Sequence, residues 1–161
     1  NAETVVVAMG SILGTIKDSV DEMRERGVKI GVLGVISFRP FPLEAVRAAL
    51  KGAKRVVVLE KTFAVGIGGI LATDVRTAMD GVEISDYTVV AGLGGRPITK
   101  KSLHAFFEKA VRDDVPALSF LDLDWNIVNK QLERERQKRR SGPAAENILR
   151  DVGSSHVVQH S

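Results

Sequence analysis

The stretch RVVVLEKTFAVGIGGILATDVRTAM, residues 55–79, holds one complete unit of the fold. Arg55 to Leu59 is a β-branched apolar run that reads as a strand, Gly66 to Gly69 as a loop, and Ile70 to Met79 as a helix carrying Leu71, Val75 and Met79 on one face. A short, continuously apolar strand feeding through glycines into an amphipathic helix is half of a right-handed crossover, which implies parallel strand pairing.

The cycle recurs on both sides of this unit. Thr4 to Met9 reads as a strand ending in Gly10-Ser11, after which Ile12, Ile16, Val20 and Met23 recur at helical spacing until Gly27. Lys29 to Phe38 is a second apolar run, expected to be a strand covered on both faces. Arg39-Pro40-Phe41-Pro42 then forces an extended turn, Pro42 opens a helix through Leu50, and Gly52 closes it. A fourth strand, Tyr87 to Ala91, runs into Gly92-Leu93-Gly94-Gly95-Arg96-Pro97, and Thr99 is a good N-cap for a helix through Val111. Pro116 to Leu123 reads either as a fifth strand or as an irregular apolar arm. The expected class is α/β: a mainly parallel sheet of about five strands with helices on both faces, plus a C-terminal helical tail. The domain is expected over residues 1–123, with a charged helix and a mobile tail over residues 124–161.

Bulk properties narrow the function. At 161 residues and 44% hydrophobic composition the chain suits one domain with a real core, and its formal charge of +3 demands no strongly anionic partner. The absence of cysteine excludes disulfides, thiolate chemistry, cysteine-held zinc and any iron–sulfur cluster ligated by these residues. The longest apolar run is interrupted by Gly31, Gly34 and Ser37, far short of a membrane span, and no basic-then-apolar leader opens the sequence. The expectation is a soluble, cytoplasmic protein. A strand beginning almost at Asn1 suggests a piece of something larger.

In a parallel sheet the glycine-rich turns at Gly10–Gly14, Gly66–Gly69 and Gly92–Gly95 must gather at the carboxyl ends of the strands, where ligands of open α/β folds bind. Helix N-termini there offer unpaired N–H groups to a phosphate or carboxylate. Glycine also permits tight turns and close packing at an interface, and both readings stand. The Gly10 turn is not G-x-G-x-x-G, Ser37 and Phe38 stand where a ribose-binding acid belongs, and no P-loop occurs. Ser11 is read as a helix cap. Glu60 and Lys61 end a buried strand, where charge is costly unless paired, solvated or functional. Arg39 and Arg96 each precede a proline at a strand end, placed to clamp an anion or to make an inter-domain or inter-subunit salt bridge. Gly10, Ser11, Arg39, Glu60, Lys61, Gly94, Gly95 and Arg96 are therefore the candidate interface or anion contacts, with no catalytic and no metal-ligating residue assigned. His104 reads as structural, without a visible orienting partner. The basic run from Arg134 to Arg140 contains Glu135 and no aromatic residue, which favours a solvated or subunit-contacting face over nucleic acid.

Taken together, Ala8-Met9-Gly10-Ser11, Ser37-Phe38-Arg39-Pro40-Phe41-Pro42, Val58-Leu59-Glu60-Lys61 with the Gly66–Gly69 loop, and Gly92-Leu93-Gly94-Gly95-Arg96 resemble the second, transketolase C-terminal-like domain of the pyruvate:ferredoxin oxidoreductase alpha subunit. The resemblance covers roughly Thr4 to Val111. It implies an enzyme that oxidatively decarboxylates a 2-oxoacid on thiamine diphosphate with magnesium, passes electrons through [4Fe-4S] clusters to ferredoxin, and transfers the acyl group to coenzyme A. It also implies that the chain itself binds none of these cofactors and serves assembly, beside a thiamine-binding beta subunit, in an oligomer. The alternatives are a phosphate- or coenzyme A-binding module and, more weakly, a nucleic-acid-binding protein using the basic helix.

Overall fold

In a computed structural model, which describes residues 1–137, the elements alternate from the start. They are β1 (Thr4–Ala8), α1 (Leu13–Glu25), β2 (Ile30–Gly34), α2 (Leu43–Leu50), β3 (Arg55–Glu60), α3 (Ile70–Ala78), β4 (Ser85–Val90), α4 (Lys100–Ala110), β5 (Leu118–Phe120) and α5 (Trp125–Gln137). A short 3-10 turn, Leu93–Gly95, lies between β4 and α4. The strands form one sheet in the order β2-β1-β3-β4-β5, and every pairing is parallel.

The apolar runs follow from two-sided burial. Successive side chains of a strand point to opposite faces. Val6 and Ala8 of β1 join Val57, Leu59 and Val89 beneath α1 and α4, where Ile16, Met23, Leu103 and Phe107 complete the layer. Val5, Val7, Val56 and Val58 face the other way, onto Val46 and Leu50 of α2 and Leu71 and Val75 of α3. Phe107 is wholly buried. Its truncation to alanine would cost about 3–5 kcal/mol, a large share of what a domain of this size has.

Several local expectations change. The run from Lys29 to Phe38 is a strand only over Ile30–Gly34, and as the sheet's edge strand it is only partly covered rather than enclosed on both faces. After the Val35 N–H donates to the Ala8 carbonyl the chain leaves the sheet, and Ile36 is 94% exposed. Ser11 does not cap α1: Ile12 occupies the cap position in helical conformation with no side-chain cap bond, while Gly10, at φ 81°, turns the chain. Pro42 sits at the cap of α2 rather than inside its first turn. Thr99 does cap α4, its Oγ1 accepting from the Ser102 N–H at 3.1 Å. Of the readings of residues 116–123, the strand is the observed one.

Contacts divide the chain after Leu123. In the second unit, α5 opens on Asp124, whose carboxylate accepts from the N–H groups of Asn126 and Ile127 at 3.0 and 3.3 Å. The expectations for the end of the basic run and for the tail, residues 138–161, fall outside the described residues. Among the described residues no helix is long and apolar enough to cross a membrane.

Candidate functional site

Parallel pairing brings the carboxyl ends of all the strands together, and with them the turns after β1, β3 and β4. From β1 the connection passes outward to β2, and from β2 it returns to β3 on the other side, so the order in which strands are added reverses between β1 and β3. Crevices open at such reversal points. Here a recess of about 220 Å³ is lined by Met9, Ile12, Phe38, Lys61, Ile70 and neighbouring β3 residues.

Glu60 closes the bottom of this region. It is only 5% exposed, and its carboxylate accepts from the N–H groups of Leu71 at 2.9 Å and Ala72 at 3.2 Å and from the Thr62 hydroxyl at 3.3 Å. A strand-end acid thus caps the first turn of α3, satisfying donors that would otherwise be orphaned and facing the positive end of the helix dipole. The anion-binding capacity of that helix start is consumed inside the chain. A β-carbon on Gly69 would fall 1.8 Å from Glu60 Oε1, so glycine is required there by contact rather than by φ. Lys61, the next residue, is exposed and has no ion-pair partner among the described residues.

Both arginines have partners within the chain. Arg39 stacks over the Phe38 ring at 4.1 Å and pairs with Asp74 of α3 at 2.9 Å, so its salt bridge is internal. The Arg96 guanidinium donates to the Asp122 carbonyl oxygen and is otherwise exposed. Gly10, Ser11, Gly94 and Gly95 are all exposed, the glycines at φ 81°, 67° and 77°.

Apolar exposure is the feature the sequence did not disclose. Val65 is 92% exposed and Ile67 73%, and with Ile36, Met9, Ile70 and Leu93 they lie at the same end of the sheet. Residues 64–68 form a miniature hairpin: Ala64 N–H donates to the Gly68 carbonyl at 2.8 Å and Gly68 N–H to the Ala64 carbonyl at 2.7 Å. Val65 and Ile67 flank its tip, Gly66, at φ 83°. The sequence pointed to the loop through its glycines but not to the direction of its aliphatic residues; Ile36 was hidden in an apolar run that reads as strand.

Other titratable groups form structural pairs between elements. His104 Nε2 lies 3.2 Å from Glu22 Oε2, although not aligned for a hydrogen bond, and Lys100 Nζ donates to Glu22 Oε1 at 2.6 Å. The partner missing from the reading of His104 therefore comes from α1. Lys100 is the main reason the Glu22 carboxyl is held below its ordinary range. Asp113 accepts from Arg55 Nε and Nη2 at 2.7 and 2.5 Å and from the Tyr87 hydroxyl at 2.8 Å, and Arg55 foremost lowers its pKa. Among the described residues no cluster of acids and histidines has the makings of a metal site. Chemically, the carboxyl end offers apolar area and cationic side chains; among the described residues its buried acid, Glu60, already accepts three hydrogen bonds from within the chain.

Comparison with known proteins fits this geometry. The family described as "Pyruvate:ferredoxin oxidoreductase core domain II" matches residues 2–103. Pyruvate synthase subunit PorA of Methanosarcina barkeri is 46% identical over 114 residues, which is 68% of this chain and 28% of that protein. Ketoisovalerate oxidoreductase subunit VorA of Pyrococcus horikoshii is 39% identical over 112 residues, 67% of this chain and 28% of the relative. The chain thus spans little more than a quarter of these relatives. Among solved structures, a split-gene transketolase, an inactive β4 tetramer, superposes with a TM-score of 0.52 at 17% identity, covering 70% of this chain and 39% of the other; the likeness is one of fold. The expected transketolase-like α/β class is therefore the observed one, and the chain belongs to the pyruvate:ferredoxin oxidoreductase core domain II family.

Proposed function

We propose that this chain is the assembly domain of the alpha subunit of a 2-oxoacid:ferredoxin oxidoreductase, first of all a pyruvate synthase, which converts pyruvate, coenzyme A and oxidised ferredoxin to acetyl-CoA, carbon dioxide and reduced ferredoxin. The observation that carries the reading is the carboxyl end of the sheet. Where an α/β enzyme would hold its substrate, this chain presents exposed Ile36, Val65 and Ile67, and its buried acid Glu60 caps α3. Surfaces of that composition suit protein contact. The similarity to PorA supports pyruvate as substrate of the parent enzyme, and the VorA relative keeps branched 2-oxoacids in view.

On this reading thiamine diphosphate with magnesium, the [4Fe-4S] clusters and the coenzyme A site belong to other parts of a cytoplasmic oligomer. Those parts include a thiamine-binding beta subunit, and ferredoxin docks on the parent complex. The absence of cysteine from this chain accords with clusters held elsewhere. The α/β domain is assigned to residues 1–123, and the charged helix to a separate role in subunit contact. A second reading, binding of the phosphates of coenzyme A at the glycine turns, draws on the recess beside Lys61, but Glu60 already fills the start of α3. Calorimetry separates the two. The assembly reading expects no heat of binding when the chain is titrated with thiamine diphosphate or coenzyme A. Saturable heat from coenzyme A that is lost in Arg96→Ala would establish the second reading instead.

A further inference from the structure

The hairpin at residues 64–68 has the build of a preformed contact element. Its two reciprocal backbone hydrogen bonds, at 2.8 and 2.7 Å, and a third from Ile67 N–H to the Ala64 carbonyl at 3.0 Å fix the loop without help from the exposed side chains. Gly66 and Gly68, at φ 83° and 97°, hold backbone conformations that other residues rarely adopt. The base is anchored twice. Phe63 packs edge-on against Phe120 of β5 with ring centroids 5.4 Å apart, and the Glu60–Gly69 contact fixes the return into α3. A loop so restrained, with Val65 and Ile67 turned to solvent at 92% and 73% exposure, loses little conformational entropy when those side chains are buried.

Charge decides what kind of surface can receive it. Lys61 has no ion-pair partner among the described residues, and the guanidinium of Arg96 meets only a backbone oxygen. The acids nearby are committed: Glu60 to α3 and Asp74 to Arg39, which leaves Asp122 as the exposed carboxylate. A second copy docked face to face would bring the same excess of cations, Lys61 and Arg96 against the exposed Asp122, to both sides of the contact, so the face is a poor electrostatic complement to itself. We infer that the hairpin is a plug: Val65 and Ile67 enter an apolar socket rimmed by carboxylates on a partner subunit of the parent complex, with Lys61 and Arg96 facing the rim. This rests on the assembly reading and names the residues and partner chemistry through which that assembly is made.

The experiment uses the complete parent subunit, co-expressed with its partner subunits and followed by sedimentation velocity. Val65→Ala/Ile67→Ala is expected to weaken association at least tenfold while the thermal midpoint of the subunit alone stays unchanged. Lys61→Glu is expected to weaken it further and to reduce its sensitivity to salt. Wild-type assembly by the alanine pair, with Ile36→Asp disruptive, would overturn the plug and leave the assembly role standing. Normal assembly even when residues 1–123 are deleted would overturn both. Self-association of the isolated chain that disappears in the alanine pair would make a second copy the occupant, and would equally overturn the inference.

Discussion

The carboxylate of Glu60 fills the space that a β-carbon on residue 69 would need, its Oε1 lying 1.8 Å from that position. The same oxygens receive the N–H groups of Leu71 and Ala72, so β3, the turn and α3 meet at one side chain. Gly69→Ala is expected to destabilise the chain by about 2–3 kcal/mol through overpacking against a carboxylate that can retreat only by giving up its hydrogen bonds to α3. Glu60→Ala is expected to cost about as much by orphaning buried donors. The double variant should lose less than the sum by roughly 1 kcal/mol or more, because removing the carboxylate makes room for the methyl. Urea denaturation of the four proteins measures this, and strict additivity would show that the contact is not what requires glycine.

Acid stability should depend on Glu3. Hydrogen bonds from Lys54 and then Lys29, each at 2.9 Å, hold its pKa at about 2 against an ordinary value of 4.5. A carboxyl whose pKa is depressed in the folded state contributes stability that is fully present above the ordinary value and is lost as pH falls towards the depressed one. The stability difference between wild type and Glu3→Gln should therefore be constant from neutrality to about pH 5, shrink as pH falls from there, and be nearly lost by about pH 2. Since the network is exposed, added salt should reduce the difference throughout. Asp113, held down chiefly by Arg55, acts in the same sense, and Asp113→Asn should flatten a further part of the acid limb. Chemical denaturation across pH measures both; a difference that grows below pH 4 would contradict the assignment.

The Arg39–Asp74 bridge is a different kind of contact. Its arginine is 60% exposed, and exposed pairs contribute little. Arg39→Ala is expected to lower the stability of the isolated chain by no more than about 1 kcal/mol, including the lost stacking on Phe38. A thermal-shift or urea comparison with Asp74→Ala checks it. A loss of several kcal/mol would mean that the Arg-Pro-Phe-Pro turn is held by this pair rather than by burial of its own apolar residues.

The sheet was legible because its signal is periodic. Valine runs at residues 5–7 and 56–58, each followed by glycine and a helical stripe, admit little besides parallel strands buried on both faces. The end of β2 was not, because an apolar run has no internal mark for where it leaves the sheet; Val35 is buried and Ile36 is not. At the candidate site the sequence marked Glu60 as a costly charge, and the hydrogen bonds show what offsets that cost. What stayed hidden depends on elements distant in the chain. Glu22 finds His104 only when α1 packs against α4, and Asp113 finds Arg55 only when the sheet has formed. The exposure of Val65 and Ile67 was likewise invisible, since two aliphatic residues among glycines look the same packed or projecting.

A protein interface at the carboxyl end of this sheet would be shielded from solvent once the parent enzyme assembles. Hydrogen–deuterium exchange, comparing the isolated chain with the same residues in the assembled oxidoreductase, tests it most directly. The account predicts slower exchange on assembly in the turns at Gly10–Gly14, Gly66–Gly69 and Gly92–Gly95, with little change around the opposite groove of about 420 Å³ lined by Arg47, Leu50, Met79 and Ile84. Unchanged exchange in those turns, with protection confined to the opposite groove, would contradict it.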